Sequence, residues 1–296
     1  MISLEKIGQK TYYITGPFHV GIYVLDEAKE CRPVCLIDSG IDADTAKEID
    51  ELLIRNNFCV ELIINTHYHA DHCGGDAYFK KAYGCTIVAT KVNAAMISNY
   101  DICTPMVWGA CPIPEIENKY FYATPTEAED IDKYELPNGL STEELPGHCI
   151  SMIAVRTDDD VLFLGDAVIS PETLEKHPLS YIYEIENYLQ SLDKLAGISA
   201  ALYVPYHAEP TTDIAGLVKA NKEGVQGNIE AVRKICQIPR TQEEVMSIYY
   251  KMKGMTLNVY KYALEGSVIR TYLAYLYNSG AIEAVVEDNF IKWKTK

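Results

Sequence analysis

Hydrophobic positions in the first 210 residues follow two periodicities, and together they predict the elements of the fold. Short runs of branched apolar residues predict β-strands at residues 11–15, 20–25, 34–37, 61–65, 86–89, 152–156, 161–164 and 201–204. Apolar residues at helical spacing predict helices at residues 44–56, 76–84 and 182–196. Because strands and helices alternate, the sequence predicts an α/β layered core.

Residues 101–136 interrupt this alternation. The stretch carries four prolines, an acidic run at 127–132 and the aromatic residues Trp108, Tyr120, Phe121 and Tyr122. A long irregular stretch of this kind is typical of a functional loop or lid. Two interpretations of its aromatic residues stay open: they line a substrate pocket, or they pack the loop onto the body.

The chain changes character after residue 210. A long helix is predicted at 214–236, and a capping box between Thr241 and Glu244 opens a second one. A third helix is predicted at 267–279, followed by a hairpin at 282–286 and 290–293. Helices followed by a small hairpin are typical of a winged helix. The sequence therefore predicts two domains, 1–210 and 211–296.

Composition and charge narrow the classes of protein and partner. The 296 residues are 48% hydrophobic and 23% charged, as in ordinary globular proteins. No signal peptide or membrane-length apolar run is evident, and nine cysteines lack any C-x-x-C pair, so we expect reduced thiols, a cytoplasmic protein and no membrane partner. The net charge is −16; residues 1–210 hold 14 Lys and Arg against 33 Asp and Glu. This acidic excess disfavours nucleic acid as a partner.

Candidate chemistry is concentrated in residues 65–75, directly after a predicted strand. His67, His69, Asp71 and His72 lie within six positions. In an extended segment the first three would point to one side, and a turn at His72 would bring in a fourth ligand. Imidazole and carboxylate groups suit zinc, and also iron or manganese. Four ligands from so short a segment predict two divalent metal ions.

Three further metal-capable residues follow predicted strands elsewhere. They are His148, Asp166 and His207. A lone histidine is weak evidence for a ligand, but these three share the position at a strand end with the first cluster. The sequence therefore predicts one common metal site.

These residues resemble the motifs of the metallo-β-lactamase superfamily, in order, over roughly residues 10–210. The run from His67 to His72 is similar to its H-x-H-x-D-H signature, and Asp38, His148, Asp166 and His207 match its other motifs. The resemblance implies a four-layered αββα sandwich with the metals at one edge, between the two sheets. The C-terminal part is similar to the lactamase-β-2-like branch, whose members carry a winged helix.

The resemblance also implies a role for each residue of the site. Asp166 would bridge the two metals, and Asp38 would support the site by hydrogen bonding. The remaining ligands would be His67, His69 and His148 on the first metal, and Asp71, His72 and His207 on the second.

Two departures from the family pattern bear on the substrate. Cys149 replaces the usual Thr after His148, and Tyr206 replaces the usual Gly before His207. Tyr206 would narrow the approach to the metals. His19 and His177 lie outside the ligand set, and we keep them with Tyr206 as candidate substrate contacts; an exposed position is the alternative for either histidine.

The expected function is hydrolysis of a small ester, thioester or lactone by a hydroxide that bridges two metals. Asp71 and Asp166 would hold and orient the hydroxide, and Asp71 would assist proton transfer. The alternative is a phosphodiesterase or ribonuclease that uses the winged helix as its arm, although the candidate recognition helix offers only Arg270. Packing or formation of a homodimer is the other role expected of the C-terminal domain. A di-iron oxygen or nitric oxide reductase is disfavoured, because such relatives place Glu where this chain has His69.

Overall fold

The computed structural model describes residues 2–296, and its strands form two large sheets and one hairpin. In the seven-stranded sheet the strands lie in chain order, antiparallel from β1 to β4 and parallel from β4 to β7. These strands are β1 (Ser3–Lys6), β2 (Thr11–Thr15), β3 (Val20–Val24), β4 (Arg32–Ile37), β5 (Phe58–Ile64), β6 (Thr86–Ala89) and β7 (Glu129–Asp130).

The second sheet has the order β11-β10-β9-β8, in which only β10 and β11 run parallel. Its strands are β8 (Leu140–Glu144), β9 (Ile153–Thr157), β10 (Val161–Phe163) and β11 (Leu202–Val204), and the separate hairpin consists of β12 (Ile282–Glu287) and β13 (Phe290–Thr295).

Within residues 2–296, ten α-helices accompany the sheets. Seven lie in the first 210 residues: α1 (Ala43–Arg55), α2 (Ala70–Cys73), α3 (Asp76–Tyr83), α4 (Lys91–Ser98), α5 (Cys103–Trp108), α6 (Pro171–Lys176) and α7 (Ile185–Gly197). Three follow: α8 (Ala215–Ile235), α9 (Gln242–Met252) and α10 (Val259–Asn278). None of the helices within residues 2–296 combines the length and apolar character needed to cross a lipid bilayer.

The alternation of side chains along single strands produces the layers. In β4, Val34 and Leu36 pack with α1 and α3, whereas Cys35 and Ile37 face the second sheet. In the second sheet, Val155 of β9 faces the first sheet, and its neighbour in the chain, Ala154, packs with α7 and the C-terminal helices. Both sheets are therefore covered by helices on their outer faces, and the predicted αββα sandwich is confirmed.

The C-terminal helices share a core with the second sheet. Val232 of α8, Val245 of α9 and Ile269 of α10 are fully buried in the same cluster as Leu162 of β10. The order of three helices and a hairpin is the predicted one, and both sides of the predicted capping box at Thr241 are present. The boundary at residue 210 and the winged-helix assignment stay predictions.

Several helical segments differ from the sequence-based prediction. The stretch predicted to be irregular contains α5, which accommodates Pro105 because it lies in the first helical turn, where no helical donor is lost. The preceding α4 was not predicted. Helix α10 begins eight residues before the predicted start, and the Asn258 side chain caps it by accepting the backbone N–H of Lys261 at 2.8 Å.

A buried carboxyl group ties the start of α3 to the ends of β4 and β5. Asp76 Oδ1 accepts hydrogen bonds from Ser39 Oγ at 2.7 Å and Asn65 Nδ2 at 3.3 Å. All three side chains are fully buried. Burial raises the pKa of Asp76 from 3.8 to about 7, although both hydrogen bonds act in the opposite direction.

The raised pKa of Asp76 predicts a pH dependence of stability. The folded chain retains this proton up to about pH 7, whereas the unfolded chain loses it near its ordinary value of 3.8. The free energy of unfolding should therefore fall as the pH rises between these values, on the order of 1 kcal/mol per pH unit from this group. Asp76→Asn should remove that contribution, because an amide group does not titrate. The amide oxygen can still accept both hydrogen bonds, so the local structure should be kept.

Urea unfolding of the chelator-treated protein between pH 5 and 7 would measure the effect. The exposed Asp288→Asn, at a hairpin turn with φ of 50°, is the matched control and should keep the wild-type slope. An unchanged slope in Asp76→Asn would contradict the prediction.

Candidate metal centre

The carboxyl ends of two pairs of parallel strands place the candidate ligands at one edge of the sandwich. Asp38 directly follows β4, and His67 comes three residues after its parallel neighbour β5. Asp166 and His207 each come three residues after β10 and β11, which are also parallel. Because parallel strands end at the same edge, residues far apart in the chain meet there.

The first group of ligand atoms comprises His67, His69, His148 and Asp166, with one atom from each within 4.8 Å of the others. His69 Nδ1 lies 2.9 Å from His67 Nε2 and 3.0 Å from His148 Nε2. His148 Nε2 is also 3.4 Å from Asp166 Oδ2. The group thus offers three imidazole nitrogens and one carboxylate oxygen.

The second group comprises Asp71, His72, Asp166 and His207. His207 Nε2 lies 3.1 Å from Asp71 Oδ2. Asp166 Oδ1 is 3.2 Å from His72 Nε2 and 3.7 Å from His207 Nε2. Asp166 therefore directs one oxygen to each group and joins the two.

The residues fit divalent metal ions, because two buried polar atoms at the centre have no hydrogen-bond partner among the described residues. His72 Nε2 and Asp166 Oδ1 are buried without a hydrogen bond among the described residues. Orphaned buried polar atoms are costly in a folded protein. Nitrogen and oxygen donors converging in this number are a suitable set for zinc.

Hydrogen bonds outside the two groups fix which imidazole nitrogen faces inward. His148 Nδ1 lies 3.0 Å from the backbone oxygen of Tyr181, which can only accept a proton. His72 Nδ1 lies 2.8 Å from the carboxylate of Asp38. In both rings Nδ1 therefore donates, which leaves Nε2 as the nitrogen that faces into the site and could bind a metal ion.

Asp38 also holds the first residues of the ligand segment. Its Oδ1 accepts the backbone N–H of Thr66 at 2.7 Å, and its Oδ2 accepts the Thr66 hydroxyl at 2.9 Å. Asp38 has φ of 65°, a left-handed conformation that Asp tolerates better than most residues. Asp38 thus contacts both Thr66 and His72, and its supporting role in a metal site stays a prediction.

Burial and neighbouring charge separate the two groups electrostatically. Burial lowers the pKa of His69 to about 3 and lowers the pKa of His67 and His148 as well. In the second group burial is outweighed: surrounding carboxylates raise the pKa of His72 and His207, and these histidines lower the pKa of Asp71 to about 2. The first group is thus a set of neutral imidazoles, and the second is a network of ion pairs.

Gly147 allows the close approach that positions His148. Its φ is +120°, and a Cβ atom there would collide with the backbone of Tyr188 in α7. The Gly147 carbonyl accepts the backbone N–H groups of Tyr183 and Glu184, both at 3.0 Å. A residue with a side chain could not keep this geometry without strain.

The path of the ligand segment differs from the extended one predicted. The backbone already bends at Thr66 and His67, and Asp71 and His72 lie in α2, whose N-cap is His69 with φ and ψ of −61° and 147°. The helical turn directs Asp71 and His72 into the second group, whereas His67 and His69 belong to the first. Periodicity did not reveal this switch, because one helical turn is too short to show a pattern.

The three candidate substrate contacts have different surroundings. Tyr206 is buried, its ring lies 3.8 Å from that of His72, and its hydroxyl donates to the backbone oxygen of Asp71. His19 is also buried, with Nδ1 2.9 Å from the backbone oxygen of Pro205. Of the three, His177 alone lines the cavity next to the metal centre.

That cavity has a volume of about 270 Å³. Besides the candidate ligands, it is lined by residues that the sequence did not connect with the metal site. Tyr120 and Phe121 of the aromatic stretch line it, and Phe121 also packs on Tyr260 of α10 at 4.9 Å between ring centroids. Both interpretations of the aromatic residues are therefore realised. Further wall residues come from α8 and α10, far along the chain, where no motif marks them.

Comparisons with known proteins agree with this architecture. The model of the metallo-beta-lactamase superfamily matches residues 15–207. A hydroxyacylglutathione hydrolase of Nitrobacter hamburgensis is 42% identical over 151 residues, which cover 51% of this chain and 48% of that protein. One of Rhodopseudomonas palustris is 32% identical over 140 residues, or 45% of each chain. The chain thus spans about half the length of these relatives.

Solved structures resemble the whole chain. A beta-lactamase domain protein from Burkholderia ambifaria has a TM-score of 0.73 at 15% identity and covers 99% of this chain and 94% of its own. A metallo-beta-lactamase family protein from Thermus thermophilus has a TM-score of 0.67 at 18% identity, with 100% and 98% covered. At these identities the likeness shows the fold alone. With the family model matching well over half of its residues, the chain belongs to the metallo-beta-lactamase superfamily.

Proposed function

We propose that this chain is a metal-dependent hydrolase that holds two divalent ions. Zinc is the expected metal, with iron or manganese as alternatives. The observation that carries the proposal is the pair of ligand groups joined by Asp166, whose Oδ1 is buried without a hydrogen bond in the part of the chain that the structure describes. His67, His69 and His148 would bind the first ion, Asp71, His72 and His207 the second, and Asp166 both.

A pair of divalent ions supplies a Lewis acid and an activated water at neutral pH. The chain supplies the groups that move and orient protons. Asp71 lines the cavity and its side chain is 31% exposed, against 9% for Asp166. Asp71 is therefore the carboxylate that exchanges a proton with water or with the leaving group, while the buried Asp166 is fixed between both groups.

The proposed reaction is hydrolysis of a small ester, thioester or lactone. Water adds to the carbonyl carbon, the bond to oxygen or sulfur breaks, and the leaving group takes up a proton. Two observations favour this class. The cavity of about 270 Å³ suits a small molecule, and the relatives in Nitrobacter and Rhodopseudomonas are named as hydrolases of acylated glutathione.

The C-terminal domain supports this proposal more than the nuclease alternative. Helix α10 directs Tyr260, Leu264 and Tyr272 to the cavity. The candidate recognition helix thus forms part of the wall of the site. The predicted homodimer would be sought at the terminal hairpin, where Val286 and Phe290 are 74% and 60% exposed.

Substitution of one ligand residue in each group should show separately how each group binds its metal ion. His148→Ala should lose the ion of the first group and Asp71→Ala should weaken binding in the second, because each removes one of four donor residues. We expect thioester turnover to fall about a hundredfold or more in both variants. Metal content after dialysis is measured by mass spectrometry, and turnover by titration of the released thiol.

His177→Ala is the control for metal content, because His177 belongs to neither ligand group. It should retain both ions. If His148→Ala and Asp71→Ala kept two ions and full turnover, the assigned centre would be wrong.

The hydrogen bond from His72 to Asp38 should control metal affinity through the tautomer. In Asp38→Asn the amide oxygen can take the place of Oδ1 and keep the bond to the Thr66 N–H, which leaves the amide nitrogen facing His72 Nδ1. Two donors cannot share this bond, so Nε2 would carry the proton and lose its lone pair for the metal. We expect the affinity of the second group to fall about 10–100-fold.

Competition with a chromogenic zinc chelator would measure this affinity. The exposed Asp44→Asn should behave as wild type. Equal affinities of Asp38→Asn and wild type would show that the orientation of His72 does not depend on Asp38.

A further inference from the structure

The cavity beside the metal centre extends from the ligands to the C-terminal helices. Its metal side includes His69, Asp71 and His148, and its far wall is formed by residues of α8 and α10 such as Val225 and Leu264. Aromatic rings from distant parts of the chain complete it, among them Tyr181. A molecule bound at the metals would therefore place one of its ends among apolar and aromatic side chains.

The buried amide side chains of this wall are engaged within the protein. Asn221 Oδ1 accepts the hydroxyl of Tyr188 at 3.0 Å, and its Nδ2 donates to the backbone oxygen of Ile169 at 2.9 Å. Asn228 Nδ2 donates to the hydroxyl of Tyr272 at 3.1 Å, and its Oδ1 accepts from Tyr249 at 2.5 Å. These side chains thus shape the wall, and their polar atoms are committed to partners other than a substrate.

No lysine or arginine lines the cavity within residues 2–296. Its carboxylates, Asp71 and Asp166, belong to the metal groups. Partial burial and the charges of Lys261 and Lys176 lower the pKa of His177, which disfavours its cationic form. A carboxylate buried among α8 and α10 would meet no lysine or arginine in the cavity lining, since Lys176 and Lys261 act on His177 from outside it, and burial of an unpaired charge is strongly unfavourable.

On the basis of the proposed hydrolase function, we infer that the acyl group is uncharged and apolar, and that α8 and α10 select it. The selecting helices also lie beyond residues 15–207, so the match to the family does not extend to them.

Gly224 of α8 offers a way to shorten the cavity without disturbing the fold. It lines the cavity, and a Cβ atom there would meet only the side chain of Leu174, at 3.6 Å, an ordinary contact. Gly227, three residues later in the same helix, is exposed, and a Cβ atom there would meet nothing within 4 Å. Leu at either position favours the helix, so the two variants differ in whether the new side chain enters the cavity.

The test compares acetyl, hexanoyl and glutaryl thioesters of N-acetylcysteamine with the metal-loaded full chain. These substrates share one leaving group, and glutaryl differs from hexanoyl chiefly by its terminal carboxylate. We expect kcat/KM for hexanoyl to exceed that for glutaryl by about a hundredfold. Gly224→Leu should lower kcat/KM for hexanoyl at least about tenfold and leave acetyl nearly unchanged, whereas Gly227→Leu should match wild type for all three.

Binding of hexanamide, measured by calorimetry, separates this inference from the proposed function. Hexanamide should bind to wild type and to Gly227→Leu, and at least about tenfold more weakly to Gly224→Leu. If it does so while no thioester is hydrolysed, the apolar acyl cavity stands and the proposed thioester hydrolysis fails. If thioesters are hydrolysed but glutaryl equals hexanoyl, or Gly224→Leu leaves hexanoyl unchanged, the inference is overturned and the hydrolase remains. Absence of both hexanamide binding and hydrolysis overturns both.

Discussion

The carboxylate of Asp166 is the point on which the site depends, because its two oxygens face two different sets of ligand atoms. It follows β10, whereas its nearest partners His72 and His148 come from α2 and from the loop after β8. A buried carboxylate without compensating charge is strongly unfavourable, so this position requires imidazolium groups or metal ions around it. The sandwich satisfies the requirement by ending two pairs of parallel strands at the same edge.

Around this centre, groups that do not face the metals determine how the ligands point. Asp38 and the backbone oxygen of Tyr181 fix the tautomers of His72 and His148, and the Tyr206 ring packs against His72. Asp76 connects the segment following the ligands to the ends of β4 and β5. Rigid support of this kind holds converging ligand atoms in place despite the repulsion among them.

The sequence predicted the sandwich and the residues that converge. The features that it did not predict have physical reasons. Asp166 and His207 were recognisable because they follow apolar strands, whose pattern is strong, and His148 because it matches a family motif. Periodicity could not show that Asp71 lies in a helical turn, since α2 has four residues. Nor could it place Tyr206 beneath His72 rather than at the cavity, because that position results from packing between segments distant in the chain. Wall residues such as Gly224 carry no motif.

The distribution of charge gives the C-terminal helices a second role beyond covering a sheet. Residues 1–210 hold most of the acidic excess, yet the cavity wall that α8 and α10 contribute is uncharged. A substrate that reaches the metals loses its surrounding water as it enters a cavity bounded by an acidic body and an apolar wall. Negative charge on the substrate is therefore disfavoured both at long range and on burial. Under the proposed function, chemistry and selection would be carried by different parts of the chain: the strand ends hold the candidate ligands, and the helices beyond the family's matched region would select the acyl group.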